Sequence, residues 1–402
     1  MAQIWSFFVK IFAYCVVIAT LLTAPVRFSS KDGFQYPDTA EVSDEGPAYD
    51  AAFQRTLHSV IFKDFKNTYD ENRSVPIPGL RYTAIQTADG AVSLCDAMVP
   101  QGVCFAGDNA QYMLISAYCS DKDKKKSVYH KNGVDKHESV IYVMDADSGR
   151  LLSTVTLDNY SDYAKDMNAG KPPHAGGIAF DGNYLWVAKT NAVYAVDFAR
   201  IQALLDAGAT VGRVQYAAAK EIYTDINGNI DDENCTQQPI VAFTTDTRAS
   251  YISAYQDMIL IGEFQEHAAG KLSAFRITLA NGTAAVRKVF ELSVPKYTQG
   301  AAMADINGKA YLFTSKSAGR VFMSALHIYT VEINSADAEK QPLRPAYLLP
   351  NMAEDLAIKD GCLFTCYESA SNPYYGWNSA LRKATFVTDR VTATRIDQLI
   401  DK

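Results

Sequence analysis

The stretch PHAGGIAFDGNYLWVA, from Pro173 to Ala188, carries the pattern that decides the fold. It opens with a histidine and two glycines, continues as a short apolar strand, turns at Asp-Gly-Asn and ends as a more strongly apolar strand. Asp-Gly favours the tight turns that join antiparallel strands. The stretch therefore predicts a β-hairpin that begins at the double glycine.

Four other stretches have the same plan: PQGVCFAGDNAQYMLISAY, ASYISAYQDMILIGEF, TQGAAMADINGKAYLFTSK and AEDLAIKDGCLFTCYES. The five units begin near Gln101, Gly176, Ser250, Gln299 and Glu354. A third strand often follows, as in SVIYVMDADSG, and a fourth is legible in RLLSTVTL and AVRKVFEL. Repeated units of four antiparallel strands are typical of a β-propeller. We predict an all-β propeller of five blades, with six blades as the alternative if residues 81–95 form a degenerate blade.

The sequence also suggests how the ring closes. The last unit lacks a clear fourth strand, while RYTAIQTADG (Arg81–Gly90) precedes the first complete unit as a lone strand. Closed rings of blades leave no long unprotected sheet edge. We therefore expect Tyr82–Gln86 to complete the last blade, so that the propeller covers residues 81–402.

Two helices are predicted besides the blades. The second unit carries FARIQALLDAGA, which indicates a short helical insert. Residues 28–80 are predicted to hold a polar linker, Ser29–Gly46, and then a short helix whose apolar residues recur at helical spacing: Phe53, Leu57, Val60, Ile61 and Phe65. We expect this N-terminal helix to pack its apolar face against the side or bottom of the propeller.

The first residues form a separate hydrophobic segment. Ile4–Val26 is mostly apolar, and Lys10 is its only charge. Ile11–Leu22 has the length of a signal-peptide core with a positive flank. If uncleaved, the segment is long enough to span a bilayer. Residues 1–27 are thus predicted to be a signal peptide or membrane anchor, and the rest of the chain to be secreted or held on the outer face of the cell membrane.

The cysteines fit an exported chain. Of seven cysteines, Cys15 lies in the hydrophobic segment, which leaves six in the remainder. An even number in an exported protein permits disulfides. Cys362 and Cys366 are too far apart along one predicted strand to pair with each other. We expect Cys95 to pair with Cys104 across a short loop, with buried free thiols as the alternative.

Composition limits the class of partner. The 402-residue chain is 48% hydrophobic and 21% charged, with a formal net charge of −7. Nucleic-acid binding normally needs a clustered basic face. We expect a monomer that binds a small molecule or glycan, does not bind nucleic acid, and meets the membrane only through its N-terminal segment.

Alignment of the repeats predicts one polar mouth of the central channel. Glycine at the start of a first strand lets several backbones converge near the axis. The candidate ligand-binding residues there are His174, Arg248, Gln101, Gln299, Lys189, Lys316 and Tyr118. The carboxyl groups that could act in catalysis are Glu354, Asp355, Glu263 and Glu368. The simpler interpretation is a water-filled channel lined by polar side chains.

Two classes of function suit such a mouth. The favoured one is a module that binds a carbohydrate or cell-wall fragment, with Trp186, Tyr118, Tyr367, Tyr374, Tyr375 and Trp377 as candidate stacking faces. The alternative is a hydrolase, either a glycosidase with paired carboxylates or a Ca²⁺-dependent lactonase. Nucleophile-elbow, HExxH and phosphate-loop motifs are absent from the sequence.

We expect no cofactor, with Ca²⁺ as the alternative. The loop DINGNIDDE places oxygen-bearing side chains at alternate positions: Asp225, Asn227, Asn229 and Asp231. Calcium loops use such alternation, but an EF-hand has its glycine later and an acid at its last position, which here is Thr236. A solvated acidic loop is the simpler interpretation.

Several motifs together resemble one family. RYTAI, PQGVCFAG, YMLISAYCS, SVIYVMDADSG, PHAGGIAFDG and MAEDLAI look like those of secreted bacterial β-propeller-like proteins to which no activity is assigned. The likeness covers residues 78–370, and the family more usually has glycine where this chain has Asp355. The resemblance implies the propeller fold and export, and it implies no reaction.

Overall fold

The computed structural model describes residues 53–120, 138–158, 174–215, 223–224, 242–280, 283–334, 337–376 and 383–401. These residues form a ring of five small, mainly antiparallel sheets, so the prediction of a five-bladed propeller is confirmed. The predicted signal peptide or anchor, the linker Ser29–Gly46, the candidate calcium loop, Cys235 and Trp377 lie outside the described residues.

Three strands come before the first blade in the chain: β1 (Tyr69–Pro76), β2 (Thr83–Gln86) and β3 (Val92–Cys95). Blade 1 contains β4 (Met98–Ala106), β5 (Tyr112–Cys119), β6 (Val140–Asp145) and β7 (Leu151–Asp158). Blade 2 contains β8 (Ile178–Phe180) and β9 (Tyr184–Asp197), which is followed by a helix, Phe198–Asp206. This helix confirms the helical insert predicted in the second unit.

The next strands extend blades 1 and 2. β10 (Val211–Gln215) adds to blade 1 in parallel with β7, while β11 (Tyr223–Thr224) and β12 (Ala242–Ala249) extend blade 2. β9 folds back on itself. The residues that flank its two ends are in contact, since the Phe198 N–H donates to the carbonyl of Asn183 at 3.0 Å.

The remaining blades follow the chain in order. Blade 3 contains β13 (Tyr251–Tyr255), β14 (Met258–Gly262), β15 (Gly270–Ala280) and β16 (Thr283–Val294). Blade 4 contains β17 (Thr298–Ile306), β18 (Lys309–Lys316), β19 (Ser324–Asn334), β20 (Asp337–Pro342) and β21 (Tyr347–Leu349). Blade 5 contains β22 (Ala353–Lys359), β23 (Cys362–Tyr367) and β24 (Arg390–Arg395), and a last short helix, Ile396–Ile400, follows.

The core consists of apolar layers between neighbouring blades. Side chains alternate between the two faces of a strand, so one strand serves two layers. In β9, Leu185 and Val187 pack towards blade 1, whereas Trp186 and Ala188 pack towards blade 3. The first strands β4, β8, β13, β17 and β22 contact each other in sequence around the channel. This arrangement explains why second strands read as continuous apolar runs.

The predicted ring closure is wrong, because a different strand completes the last blade. β1 pairs with β24 and completes blade 5, with Val75 opposite Val391, whereas β2 pairs with β3 in a separate hairpin. β1 is an outermost strand, and most of its side chains are exposed or half-buried. Its sequence, YDENRSVP, therefore lacks the apolar alternation that marks a core strand, and the propeller begins upstream of residue 81.

The predicted N-terminal helix is present only in part. Residues 53–57 are helical, a turn Val60–Phe62 follows a break at Ser59, and a further helix spans Lys63–Thr68. Because the break resets the helical register, Phe62 is buried and Val60 is 90% exposed. The expected packing is otherwise found, since Phe53, Leu57, Phe62 and Phe65 join the apolar layer between blades 4 and 5.

The predicted Cys95–Cys104 disulfide is wrong. Cys104 belongs to the layer between blades 1 and 2, whereas the Cys95 thiol lies 3.6 Å from that of Cys119. The structure shows no disulfide among the five described cysteines, which are Cys95, Cys104, Cys119, Cys362 and Cys366. Short sequence separation misleads here, because β4 carries Cys104 into a different layer.

We expect Gly177→Ala to destabilise the ring by about 3 kcal/mol, because an overpacked site can relax only by moving its surroundings. An added Cβ would lie 2.6 Å from the backbone nitrogen of Ile252 and 2.9 Å from the Tyr251 Cα. Gly90→Ala is the control, since its φ of +84° is strained but nothing lies within 4 Å. That change should cost about 1 kcal/mol. Urea unfolding measures both, and equal losses would contradict close packing at Gly177.

Candidate functional site

Two carboxyl groups form the floor of the predicted mouth. Glu354 lies on β22 and Glu368 directly follows β23, and both are buried. The Gln299 side-chain amide donates to Glu354 Oε1 at 3.2 Å. The Gln101 amide donates to Glu368 Oε2 at 3.1 Å. Three blades thus contribute to one hydrogen-bonded group, and Glu354 with Glu368 is here called the carboxyl pair.

The carboxyl pair keeps a proton to higher pH than an exposed glutamate does. Burial, followed by the charge of Glu368 and a hydrogen bond to it, raises the pKa of Glu354 well above its ordinary range. Like-charged carboxyl groups in contact cannot both ionise readily. While it keeps that proton, the pair has both a hydrogen-bond donor and acceptors.

An aromatic stack stands beside the carboxyl pair. The rings of Tyr118 and His174 lie 4.1 Å apart with an interplanar angle of 26°. Tyr118 is buried at the end of β5, whereas His174 is exposed before β8. Burial and the charge of Glu368 raise the pKa of Tyr118, and its hydroxyl is hydrogen-bonded to Tyr374. The phenol consequently stays neutral, and His174 is the more exposed ring of the stack.

Lys189 is a buried amine on β9 of blade 2. Its side chain lies over the Tyr194 ring, with Nζ 5.5 Å from the ring centroid. Burial lowers the pKa of Lys189 to about 7. Near neutral pH, this amine therefore exists in both protonation states.

Asp355 lies deeper than the carboxyl pair and reaches across the channel. Its Oδ1 accepts the N–H of Leu356 at 3.0 Å. Burial raises its pKa well above the ordinary range, while the nearby backbone N–H groups of Leu356, Val103 and Ile178 act in the opposite direction. Its Oδ2 is buried and has no hydrogen-bond partner among the described residues. Val103 belongs to blade 1 and Ile178 to blade 2, so the carboxyl of this blade 5 residue lies close to the axis.

Three other predicted mouth residues stand apart from the hydrogen-bonded group. Glu263 is half-buried and accepts from the Gln265 amide at 2.7 Å. Lys316 lies at the end of β18, and its charge helps to lower the pKa of His327 after the larger effect of burial. Arg248 is exposed near the end of β12. The described contacts do not join these three side chains to the carboxyl pair.

Two of the candidate stacking aromatics belong to the core instead. Trp186 is fully buried, and its indole N–H donates to Asp181 Oδ2 at 2.7 Å. Tyr367 is fully buried, and the Thr392 hydroxyl lies 3.3 Å from its oxygen. Tyr375 is half-buried, with the Lys383 amine 4.4 Å from its ring centroid.

Sequence reasoning missed the residue that holds the loop after β23. Asn372 is buried, and its side-chain amide donates to the carbonyls of Arg81 at 2.6 Å and Asp96 at 3.0 Å. These bonds tie the loop that carries Glu368 and Tyr374 to the segment before blade 1. An asparagine in a turn-rich stretch gives no signal of such a role, because loops favour asparagine for local reasons.

Two further findings concern metals and membranes. Among the described residues, no three His, Cys, Asp or Glu side chains are grouped to hold a metal ion. Within the same ranges, no helix is long and apolar enough to cross a bilayer.

Comparison with known proteins gives no relative: no protein-family model matches the chain, and no curated protein is significantly similar to it.

Proposed function

We propose that the polar mouth binds a small, neutral, hydroxyl-rich ligand, and that this ligand is a carbohydrate or a cell-wall fragment. The observation that carries the proposal is the Tyr118–His174 stack beside the carboxyl pair. Binding sites combine an apolar or aromatic face with a few convergent polar groups. A sugar has both kinds of surface, because its C–H face packs on rings while its hydroxyls donate and accept hydrogen bonds.

The raised pKa of Glu354 in the carboxyl pair favours a neutral ligand. A carboxyl pair that holds a proton carries less negative charge than two carboxylates, and the amides of Gln101 and Gln299 already face it. The buried Lys189 amine is only partly protonated near neutral pH. Such a mixture of donors and acceptors suits hydroxyl groups better than it suits a strong anion or cation.

Hydrolysis is the second candidate, and the contact between the two glutamates argues against it. Paired-carboxylate glycosidases hold their acids roughly 5–5.5 Å or 6.5–9.5 Å apart, so that a sugar carbon or a water fits between them. Here Glu354 and Glu368 are hydrogen-bonded to each other. The raised pKa of Glu354 would suit a general acid, so the binding test also measures turnover.

We expect His174→Ala to weaken binding about tenfold, since losing one ring that contacts the ligand should cost about 1.4 kcal/mol. The probes are a glycan array and soluble fragments from a lysozyme digest of peptidoglycan. His174→Phe should keep most of the affinity, because it keeps a flat ring. His267→Ala removes another exposed histidine and should change nothing.

The same samples separate binding from catalysis. If the protein only binds, Glu368→Gln lowers affinity and wild type releases no reducing ends from the fragments. Release of reducing ends by wild type that Glu368→Gln abolishes would favour the hydrolase. If neither His174→Ala nor Glu368→Gln alters any interaction, the mouth is a water-filled channel.

We further propose that this binding takes place outside the cytoplasm. The support is the apolar segment Ile4–Val26 with Lys10 as its only charge. A C-terminally tagged chain should fractionate with secreted or membrane material, and recovery in the cytoplasm would overturn this part of the proposal.

A further inference from the structure

The opposite end of the channel holds a cavity, here called the lower chamber. It has a volume of about 500 Å³ and is lined by the far ends of all five first strands. Its apolar walls come from Val103, Phe105, Ile178, Phe180, Met303 and Ile358. Cavities of roughly 300–1,000 Å³ are the usual size for small-molecule sites.

A buried hydroxyl without a partner lines the lower chamber. Ser253 on β13 is 7% exposed, and its Oγ has no hydrogen-bond partner among the described residues. A buried polar group left unpaired costs free energy. The Ser253 hydroxyl is therefore a ready donor or acceptor for a molecule that enters the chamber.

A carboxylate marks the rim of the lower chamber. The Tyr255 hydroxyl donates to Asp305 Oδ1 at 2.8 Å, and the Gln256 amide donates to Oδ2 at 2.7 Å. Each carboxylate oxygen can accept a further hydrogen bond. Gln256 has a φ of +53°, which is unusual for a residue other than glycine. The turn after β13 thus holds Asp305 in one orientation at the rim.

The lower chamber has a negative charge balance. Among its described lining residues, Asp305 is the acid, and lysine, arginine and histidine do not occur. Lys359 comes directly after the lining residue Ile358 on β22, and its Nζ lies 5.6 Å from the Phe105 ring centroid. That amine is shared by Asp147 at 3.4 Å and Asp360 at 3.6 Å. The charge of Lys359 is consequently balanced by ion pairs with two other carboxylates.

We propose that the lower chamber binds a small amphipathic organic cation. Its ammonium head lies at Asp305, and its short hydrocarbon chain packs against the apolar walls near Ser253. A carboxylate at the edge of an apolar cavity selects a cation over an anion, since bringing an anion there adds repulsion to desolvation. This site is distinct from the mouth, because its lining residues lie at the opposite ends of the first strands from Gln299 and Glu354.

The test uses n-hexylammonium chloride as the probe, with sodium hexanoate and 1-hexanol as comparators of equal chain length. Calorimetry on the full chain should show hexylammonium binding about tenfold more tightly than hexanol, and hexanoate not binding, as one charge-assisted contact implies. Asp305→Asn should remove that preference. Asp257→Asn is the matched control, because it removes a carboxylate that lies in the turn after β13 but pairs with Arg276 and does not line the chamber.

A second variant tests the location. Ala254 lines the chamber and is exposed, so Ala254→Leu should fill space there without disturbing the core and should abolish hexylammonium binding. His174→Ala at the mouth should leave that binding unchanged. The proposal is overturned if hexylammonium does not bind, if hexanoate binds equally well, or if Asp305→Asn behaves like Asp257→Asn.

Discussion

Trp186→Ala should lower the free energy of unfolding by about 3–5 kcal/mol, the usual cost of removing a fully buried aromatic ring. Trp186 is 0% exposed and packs with Val193, Ile252 and Ile261 in the layer between blades 2 and 3. Truncation leaves a cavity that two packed sheets cannot easily close. It also removes the indole N–H that donates to Asp181 at 2.7 Å.

Two controls separate this structural role from a role in binding. Trp186→Phe keeps much of the ring and should lose clearly less stability. Phe322→Ala removes an aromatic ring that is 58% exposed and should change stability by less than about 0.5 kcal/mol. Urea unfolding followed by far-ultraviolet circular dichroism gives the values. Unchanged stability with lost glycan binding would instead make Trp186 a ligand-contacting residue.

The second large effect is a dependence of stability on pH that comes from the buried acids. Glu354 and Asp355 have pKa values raised well above their ordinary 4.5 and 3.8 by burial. From about pH 4 upwards, the folded state therefore holds protons that the unfolded state has released. Stability falls with rising pH in that window, by about 1.4 kcal/mol per pH unit for each extra proton held.

Lys189 acts in the opposite direction at higher pH. Its folded pKa of about 7 lies below the ordinary 10.5, so the unfolded state binds more protons between these values. Its contribution to stability therefore rises with pH above about 7. The net fall should be steepest between about pH 4 and 7, where the acids act without this compensation.

A matched pair of variants isolates the acids. Glu354→Gln should remove part of the fall, so that its stability relative to wild type increases as pH rises. Glu332→Gln changes an exposed glutamate on β19 and controls for the loss of one carboxyl. Chemical denaturation at several pH values measures the difference. A difference between wild type and Glu354→Gln that does not vary with pH would contradict the protonated carboxyl pair.

Sequence pattern predicted the blades well because blade strands are buried on both faces. The second strand of each unit, such as Tyr184–Lys189, must be apolar on both sides because it packs in two layers. Such a strand is a continuous apolar run, which can be recognised in the sequence. The outer strand β1 serves no such purpose. Its polar sequence hid the strand that closes the ring, and the more apolar Tyr82–Gln86 was assigned that role wrongly.

The candidate site was likewise predicted in part. Aligning the repeats placed Gln101, Gln299, Glu354 and Glu368 at one mouth, and the structure brings them into contact. The same alignment could not tell which equivalent side chains turn inward. Glu263 contacts Gln265, a partner two residues away on its own blade. The lower chamber gave no signal at all in the sequence.

A ring of five repeated β units can be read from the amino-acid pattern alone, because burial between blades imposes a periodic apolar pattern on each unit. Contacts between distant parts of the chain settle which strand closes the ring, which thiols are neighbours and which carboxyl groups lie side by side. Tyr69 with Thr394 and Glu354 with Gln299 are such pairs. The spacing of residues within one repeat contains no information about distances between repeats.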